Sequence, residues 1–219
     1  MGKIFYLLVS FCLTSAVLAD DALVTDLPLV FSEDFDAGHD RWELTDDKAW
    51  TLREVEGDNV FGLNKRTSDY TPKVRSPHNI ALVKDLELSD FIITFKVKST
   101  NDTGNHRDCC VFFCHTDPTH FYYCHLGAKP DSHSGQVMIV KDAPRLALTK
   151  NENLTPWKNE TWHEVKLARN STTGSIKVYF EDMKTPYMEV ADKTFEKGRV
   201  GLGSFDDMND FDQNRIYGR

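Results

Sequence analysis

The sequence predicts an all-β protein, an antiparallel β-sandwich. Three observations carry this. Short runs of aromatic and β-branched residues recur along the chain between turn signals, about a dozen in all at ordinary strand lengths. No long segment repeats its apolar residues at the helical period. The stretch His106–Gly127 sets two such runs, Cys109–His115 and His120–Leu126, around Thr116-Asp117-Pro118-Thr119. Proline there presets φ and withholds a ladder donor, which is turn chemistry.

The elements follow in order. Leu29–Phe35 opens the fold as LVFSEDF. Ala49–Glu56 and Val60–Lys65 flank Gly57-Asp58-Asn59 and read as a hairpin. Asn79–Val83 is a short apolar strand after Pro77. Phe91–Lys98 alternates, with Phe91, Ile93, Phe95 and Val97 to one side and Ile92, Thr94, Lys96 and Lys98 to the other. That is an antiparallel strand wet on one face. After the central hairpin come Gln136–Val140, then Trp162–Arg169 and Ser175–Phe180 across Asn170–Gly174. Val200–Phe205 and Phe211–Tyr217 close the chain. Ala128–Ser134 and Lys150–Lys158 are the longest loops, and loops at sheet ends carry binding residues.

The central hairpin holds four of the five cysteines and four of the eight histidines. Pairing His115 with His120 places Cys110, Phe112, Cys114, Phe121, Tyr123 and His125 on one face. Val111, Phe113, His115, Tyr122, Cys124 and Leu126 take the other. One face belongs in the core and one lines a groove.

Residues 1–19 read as an export leader: Lys3, the apolar runs Ile4–Val9 and Phe11–Leu18, and a small-residue cleavage site at Val17-Leu18-Ala19. Residues 20–219 remain as one β-sandwich domain, secreted or periplasmic and free of membrane once the leader is removed. The net charge is −8, a poor match to nucleic acid or an anionic membrane. Cys109, Cys110, Cys114 and Cys124 would lie in an oxidising compartment, so thiols and disulfides both stay open. Their CC-x3-C-x9-C spacing does not match usual zinc-ligand patterns. Asn101, Asn153, Asn159 and Asn170 begin Asn-x-Ser/Thr sequons. The oligomeric state is not legible.

Several stretches carry a family resemblance. These are Glu33-Asp34-Phe35-Asp36 with Trp42, Gly198–Asp207 (GRVGLGSFDD), Phe211–Tyr217 (FDxxxIY), His120–Gly127 (HFYYCHLG) and the pair WHEVKL and GSIKVYFED. Together they resemble the concanavalin A-like lectin/glucanase jelly rolls. Within that group the chain is similar to a secreted bacterial, planctomycete-type branch of 3-keto-disaccharide hydrolase-like proteins. The resemblance implies two curved sheets with a concave face that handles sugar. It also implies a structural calcium where the chain ends meet, at Glu33, Asp34, Gly203, Asp206 and Asp207. Hard cations take such oxygen ligands, and two acidic clusters brought together need neutralising.

The chemistry is less defined. The E-x-D-x-x-E strand of family-16 glucanases is missing, as are G-x-S-x-G, H-E-x-x-H and a phosphate-binding glycine loop. A polar and aromatic set remains. Arg75, Arg107, Tyr123, His125 and Arg145 are the expected ligand contacts, because sugars are held by aromatic faces and planar polar groups. The expected function is carbohydrate binding, with an oligosaccharide or polysaccharide in the concave face. One alternative is a glycoside hydrolase or lyase on 3-keto-glycosides, with His125 and Asp108 moving protons or a metal held by histidine and carboxylate. A LamG-like adhesion module is the other alternative.

Overall fold

The computed structural model describes residues 26–219; the expected leader lies outside the described residues. Fifteen strands follow one another: β1 (Leu29–Glu33), β2 (Trp42–Leu44), β3 (Trp50–Val55), β4 (Asp58–Leu63), β5 (Asn79–Leu88), β6 (Phe91–Ser99), β7 (Cys110–Asp117), β8 (His120–His125), β9 (Gln136–Lys141), β10 (Leu146–Ala147), β11 (Trp162–Arg169), β12 (Ser175–Phe180), β13 (Met188–Ala191), β14 (Gly198–Ser204) and β15 (Asn209–Gly218). One sheet runs β13-β12-β11-β6-β15-β4-β3, with β1 also paired to β15. The other runs β10-β9-β8-β7-β14-β5-β2. The named strands pair antiparallel throughout, so the fold is the expected antiparallel β-sandwich.

The strands that the sequence does not reveal are β2, β10 and β13, all at sheet edges. They have two to four residues, too few to show a period of two. Short edges of this kind also blunt pairing with other chains. The β3–β4 turn falls one residue earlier than expected. Glu56 (φ 56°) and Gly57 (φ 93°) form the two-residue loop between the paired Val55 and Asp58. Two positive φ values match the right-handed twist of a hairpin.

The main core lies between the sheets. Phe91, Ile93, Phe95 and Val97 of β6 face Val111, Phe113, Tyr122 and Cys124 of the central hairpin, and Trp42, Trp50 and Phe61 fill one end. Each such side chain contributes about 1.5–3 kcal/mol by leaving water. A second cluster covers the opposite face of the seven-stranded sheet: Ile80, Leu82, Cys110, Phe112, Phe121, Tyr123, Met138 and Val140, capped by Val74, Ala147 and Phe205. The hairpin is thus apolar on both faces, which is why its sequence reads as a nearly continuous hydrophobic run.

The hairpin register agrees with the alternation from Cys110↔His125 to Phe113↔Tyr122, then slips, so that Asp117 meets His120. The slip is a bulge at Cys114, whose φ is 47°. It exchanges two faces assigned from the sequence. Cys114 turns into the inter-sheet core, and His115 turns outward to stack on Phe121 at 5.0 Å. Gly198 on β14 makes room for it, since a Cβ there would collide with the Cys114 backbone. Lys98 is a further correction. It is buried against the Trp162 ring and pairs with Asp210, so the wet face of β6 dries at that end.

The four cysteines among the described residues, Cys109, Cys110, Cys114 and Cys124, are buried free thiols. Burial pushes each thiol up, Cys114 to about 11. Asn170 is buried, unlike the exposed sequons Asn153 and Asn159.

Candidate functional site

Most of the expected ligand contacts gather at one end of the seven-stranded sheet. There β7 begins, β8 ends, and the β14–β15 turn passes beside the 128–135 loop. A cleft of ≈650 Å3 opens at this end, lined by Arg75, His106, Arg107, Asp108, Lys129, Asp131, His133, Arg145 and His125 among others.

Asp108 organises the turn beneath the cleft. It is 2% exposed. Its Oδ1 accepts from Ser204 Oγ (2.8 Å) and the Phe205 N–H (2.9 Å), and its Oδ2 from the Asp206 N–H (2.8 Å). Its own carbonyl accepts from Asn209 Nδ2 at 2.9 Å. Burial pushes this carboxyl up. The hydrogen bond and charge of His125, with the Phe205 and Ser204 donors, outweigh it and hold the group below the usual carboxylate range.

His125 ends β8, buried, with its ring stacked on Phe205 (6.0 Å). Its Nδ1 donates to the His133 carbonyl at 2.9 Å, because a carbonyl can only accept. Its Nε2 faces Asp108 Oδ2 at 3.6 Å.

Arg145 places its guanidinium over the Phe205 ring, 4.4 Å from the centroid, with Arg75 at 5.8 Å from the same ring. The Arg145 N–H donates to the Arg75 carbonyl (3.0 Å), which ties the two segments together. The Nε and Nη1 of Arg145 are buried and have no hydrogen-bond partner in the protein. A guanidinium stacked on an aromatic face with free planar donors is a preformed receptor for oxygen-rich ligands.

The other expected contacts are placed differently. Arg107 lines the cleft but is bound to Asp102 and Asn159 rather than to Asp108. Tyr123 is fully buried beneath the site, stacked on Phe112 at 5.8 Å, and presents no ring face to the cleft. The reason is the second apolar cluster, which fills the face expected to line a groove. Its hydroxyl has no partner, and burial pushes the phenol well above its ordinary value.

The expected calcium residues fall in two places. Glu33 pairs with Asn214 just past the middle of β15, accepts from the Phe35 N–H (3.2 Å) and lies 3.7 Å from Arg41; Asp34 beside it is exposed. Asp206 and Asp207 precede the other end of β15. Gly203 sits in the β14 ladder between Ile80 and Cys110. Asp207 accepts from Ser99 (2.7 Å) and Thr103 (3.0 Å), and burial pushes it up to about 6. Because β1 pairs with the C-terminal half of β15, Glu33 lies opposite Asn214 and not beside Asp206 and Asp207, while Asp34 is near enough to Asp212 to add to burial in raising its carboxyl. Arg53 (2.6 Å) and Lys98 (3.6 Å) hold the neighbouring Asp210.

Sequence reasoning missed Phe205, Lys129, Asp131 and His133. The last three lie in the loop singled out by length, so the loop was the available signal. Phe205 reads only as a strand-end aromatic.

No protein-family model matches the chain, and no curated protein matches it. Solved structures do. The carbohydrate-binding module CBM66 from Bacillus subtilis superposes with a TM-score of 0.57 at 16% identity, over 81% of this chain and 96% of its own. The cellulose-induced protein Cip1 gives 0.57 at 12%, over 86% and 97%. Domain 4 of a family-43 extracellular arabinanase from Geobacillus stearothermophilus, solved with arabinotriose, gives 0.55 at 12%, over 88% and 93%. At such identities the likeness is one of fold. It agrees with the β-sandwich implied by the concanavalin A-like resemblance. Among the described residues, no helix is long and apolar enough to cross a membrane.

Proposed function

We propose that this protein is an exported carbohydrate-binding β-sandwich that takes its ligand in the cleft of Arg75, Arg107, Arg145 and His125. The observation that carries this reading is Arg145. Its guanidinium lies on Phe205 with two buried donors unpartnered. Buried donors without partners are costly, and a ligand that brings acceptors recovers that cost. Sugars offer hydroxyl oxygens to planar donors, and a cleft of ≈650 Å3 falls within the ordinary range for small-ligand sites. A fold neighbour that is a carbohydrate-binding module and another that is an arabinanase domain solved with arabinotriose support the same reading, as an analogy of fold.

A second reading rests on the His125–Asp108 pair at the cleft wall. A buried histidine facing a carboxylate at 3.6 Å has the parts for proton transfer on a bound sugar. With three hydrogen bonds already on its carboxylate, Asp108 is suited to orient His125 rather than to act as a nucleophile.

The test is a thermal-shift and calorimetry screen against neutral, uronate, sulfated and 3-keto saccharides, followed by product analysis of each hit. Binding at 100 times Kd stabilises the fold by about 2.7 kcal/mol. Intact sugar establishes the binding module, and a cleaved or eliminated product establishes the enzyme. A hit that Arg145→Ala leaves unchanged would remove this cleft as the site.

A further inference from the structure

Three ligand-type side chains converge at the inner wall of the cleft. The Asp108 carboxylate, the Cys110 sulfur and a His125 ring nitrogen all lie within 4.8 Å of one another, each on a buried residue. The hairpin builds this arrangement. Cys110 sits directly opposite His125 in the β7–β8 ladder. The ladder bonding continues past the strand ends, from the Leu126 N–H to the Cys109 carbonyl (2.9 Å) and from the Ala128 N–H to the Arg107 carbonyl (2.8 Å). Asp108 is therefore two residues from Cys110 along an extended chain, and side chains at that spacing share a face. The three residues are far less conspicuous in the linear spacing of the cysteines, because two of the three ligand types are not cysteine.

The lone pairs also converge. His125 Nδ1 carries its hydrogen toward the His133 carbonyl. In the neutral ring Nε2 then presents its lone pair, and it does so toward Asp108 Oδ2 at 3.6 Å. Oδ1 is occupied by two donors, but Oδ2 accepts only the Asp206 N–H and keeps a lone pair for this side. With that ring neutral, two electron-rich atoms and a sulfur face one another, a set that a cation between them would satisfy in place of a proton on Nε2. Bonds to tetrahedral zinc of roughly 2.0–2.3 Å separate neighbouring ligands by about 3.3–3.8 Å, a range that includes the 3.6 Å between Nε2 and Oδ2, with the Cys110 sulfur within 4.8 Å of both. The outer hydrogen bonds have the form such ligands need: a carbonyl on the far nitrogen of the histidine and N–H and O–H donors on the carboxylate.

We infer that Asp108, Cys110 and His125 form a zinc site, with its fourth coordination position toward the cleft. Binding exchanges the Cys110 S–H proton for a Zn–S bond and releases that proton to solvent. The open position would take water or a ligand oxygen; that last step alone rests on the sugar-site reading. Metal binding itself stands without it.

The experiment uses the full chain, stripped with chelator and titrated with Co2+ and then Zn2+ in the absence of sugar. The expected result is one ion per chain and a thiolate-to-cobalt charge-transfer band in the near ultraviolet. Visible bands of tetrahedral intensity should accompany it and be bleached by Zn2+. Zn2+ should also raise Tm. Cys110→Ser should abolish the charge-transfer band, and His125→Gln should weaken binding at least tenfold. Cys124→Ser, which alters a thiol on the opposite face, should leave both unchanged. A wild-type chain with no thiolate band and no Tm rise would overturn the site and leave His125 as an imidazolium paired with Asp108. A band that survives Cys110→Ser would overturn it as well. A silent saccharide panel with intact cobalt binding would count against the sugar reading alone.

Discussion

Two partly or fully buried arginines separate the structural part of this molecule from its receptive part. Arg169 on β11 is fully buried. It donates from Nη1 to the Gly174 (2.6 Å) and Asp192 (2.8 Å) carbonyls and from Nη2 to Phe195 (3.1 Å), above the Tyr122 ring. Both of its terminal nitrogens are met inside the fold, and only its Nε has no partner. Arg145 also lies on an aromatic ring, but two of its buried donors end without partners at the wall of a cleft. The histidines divide in the same way. His163 is held on both nitrogens, by Glu181 (2.5 Å) and the Lys158 N–H (3.2 Å), between Trp157 and Phe180. His125 is held on one nitrogen and turns the other toward Asp108 and the cleft. The same residue types closed off by the protein act as staples, and left open they mark a site.

That contrast is tested most severely at Arg169. Arg169→Ala takes a charged donor from three carbonyls, of which Gly174 keeps only the Asp192 N–H, and leaves a void over Tyr122, so urea unfolding should show a loss of about 3–5 kcal/mol. Saccharide affinity measured well below the new Tm should not change. His163→Ala should cost about 2–3 kcal/mol through a cavity between two aromatic rings and a lost hydrogen bond, again without effect on the cleft.

Two neighbouring acids sharpen the comparison. Asp108 is held below the ordinary carboxylate range, whereas burial lifts Asp207 to about 6. A carboxyl whose folded value is raised binds more protons folded than unfolded between about pH 4 and 6. Its contribution to stability is therefore fully present below about pH 4 and is lost as pH rises through about 6. The loss is on the order of 2 kcal/mol. Asp207→Asn should flatten this part of the profile when urea unfolding is followed from pH 4.5 to 7.5. The smallest stability effect belongs to Arg145→Ala. It should move unfolding by less than about 1 kcal/mol, because the side chain satisfies little within the fold, yet lower saccharide affinity at least tenfold by calorimetry. Equal stability losses at Arg145 and Arg169 would erase the distinction between them.

The fold was largely legible. Alternation in Phe91–Lys98, the turn at Asp117-Pro118 and the aromatic hairpin arms each report a local rule, since strand period and turn chemistry act over a few residues. The short edges β2, β10 and β13 were not legible because they lack the length to show a pattern. The bulge at Cys114 was not either, since a left-handed φ on cysteine has no local signature and depends on the approach of Gly198.

The site divides along the same line. The sequence by itself determined a β-sandwich with a central hairpin, a loop after it fit for binding, and a set of arginines and histidines near that loop. Only the tertiary structure decided which of them act together. It buried Tyr123 under a second apolar layer, turned Arg107 to Asp102, set Glu33 opposite Asn214, and brought Phe205, just after β14, against Arg145 and His125. Apart from the Arg107–Asp102 pair, these outcomes rest on contacts between residues distant in the chain, as far apart as Glu33 and Asn214. Such contacts follow from register and sheet order, which no window of neighbouring residues encodes.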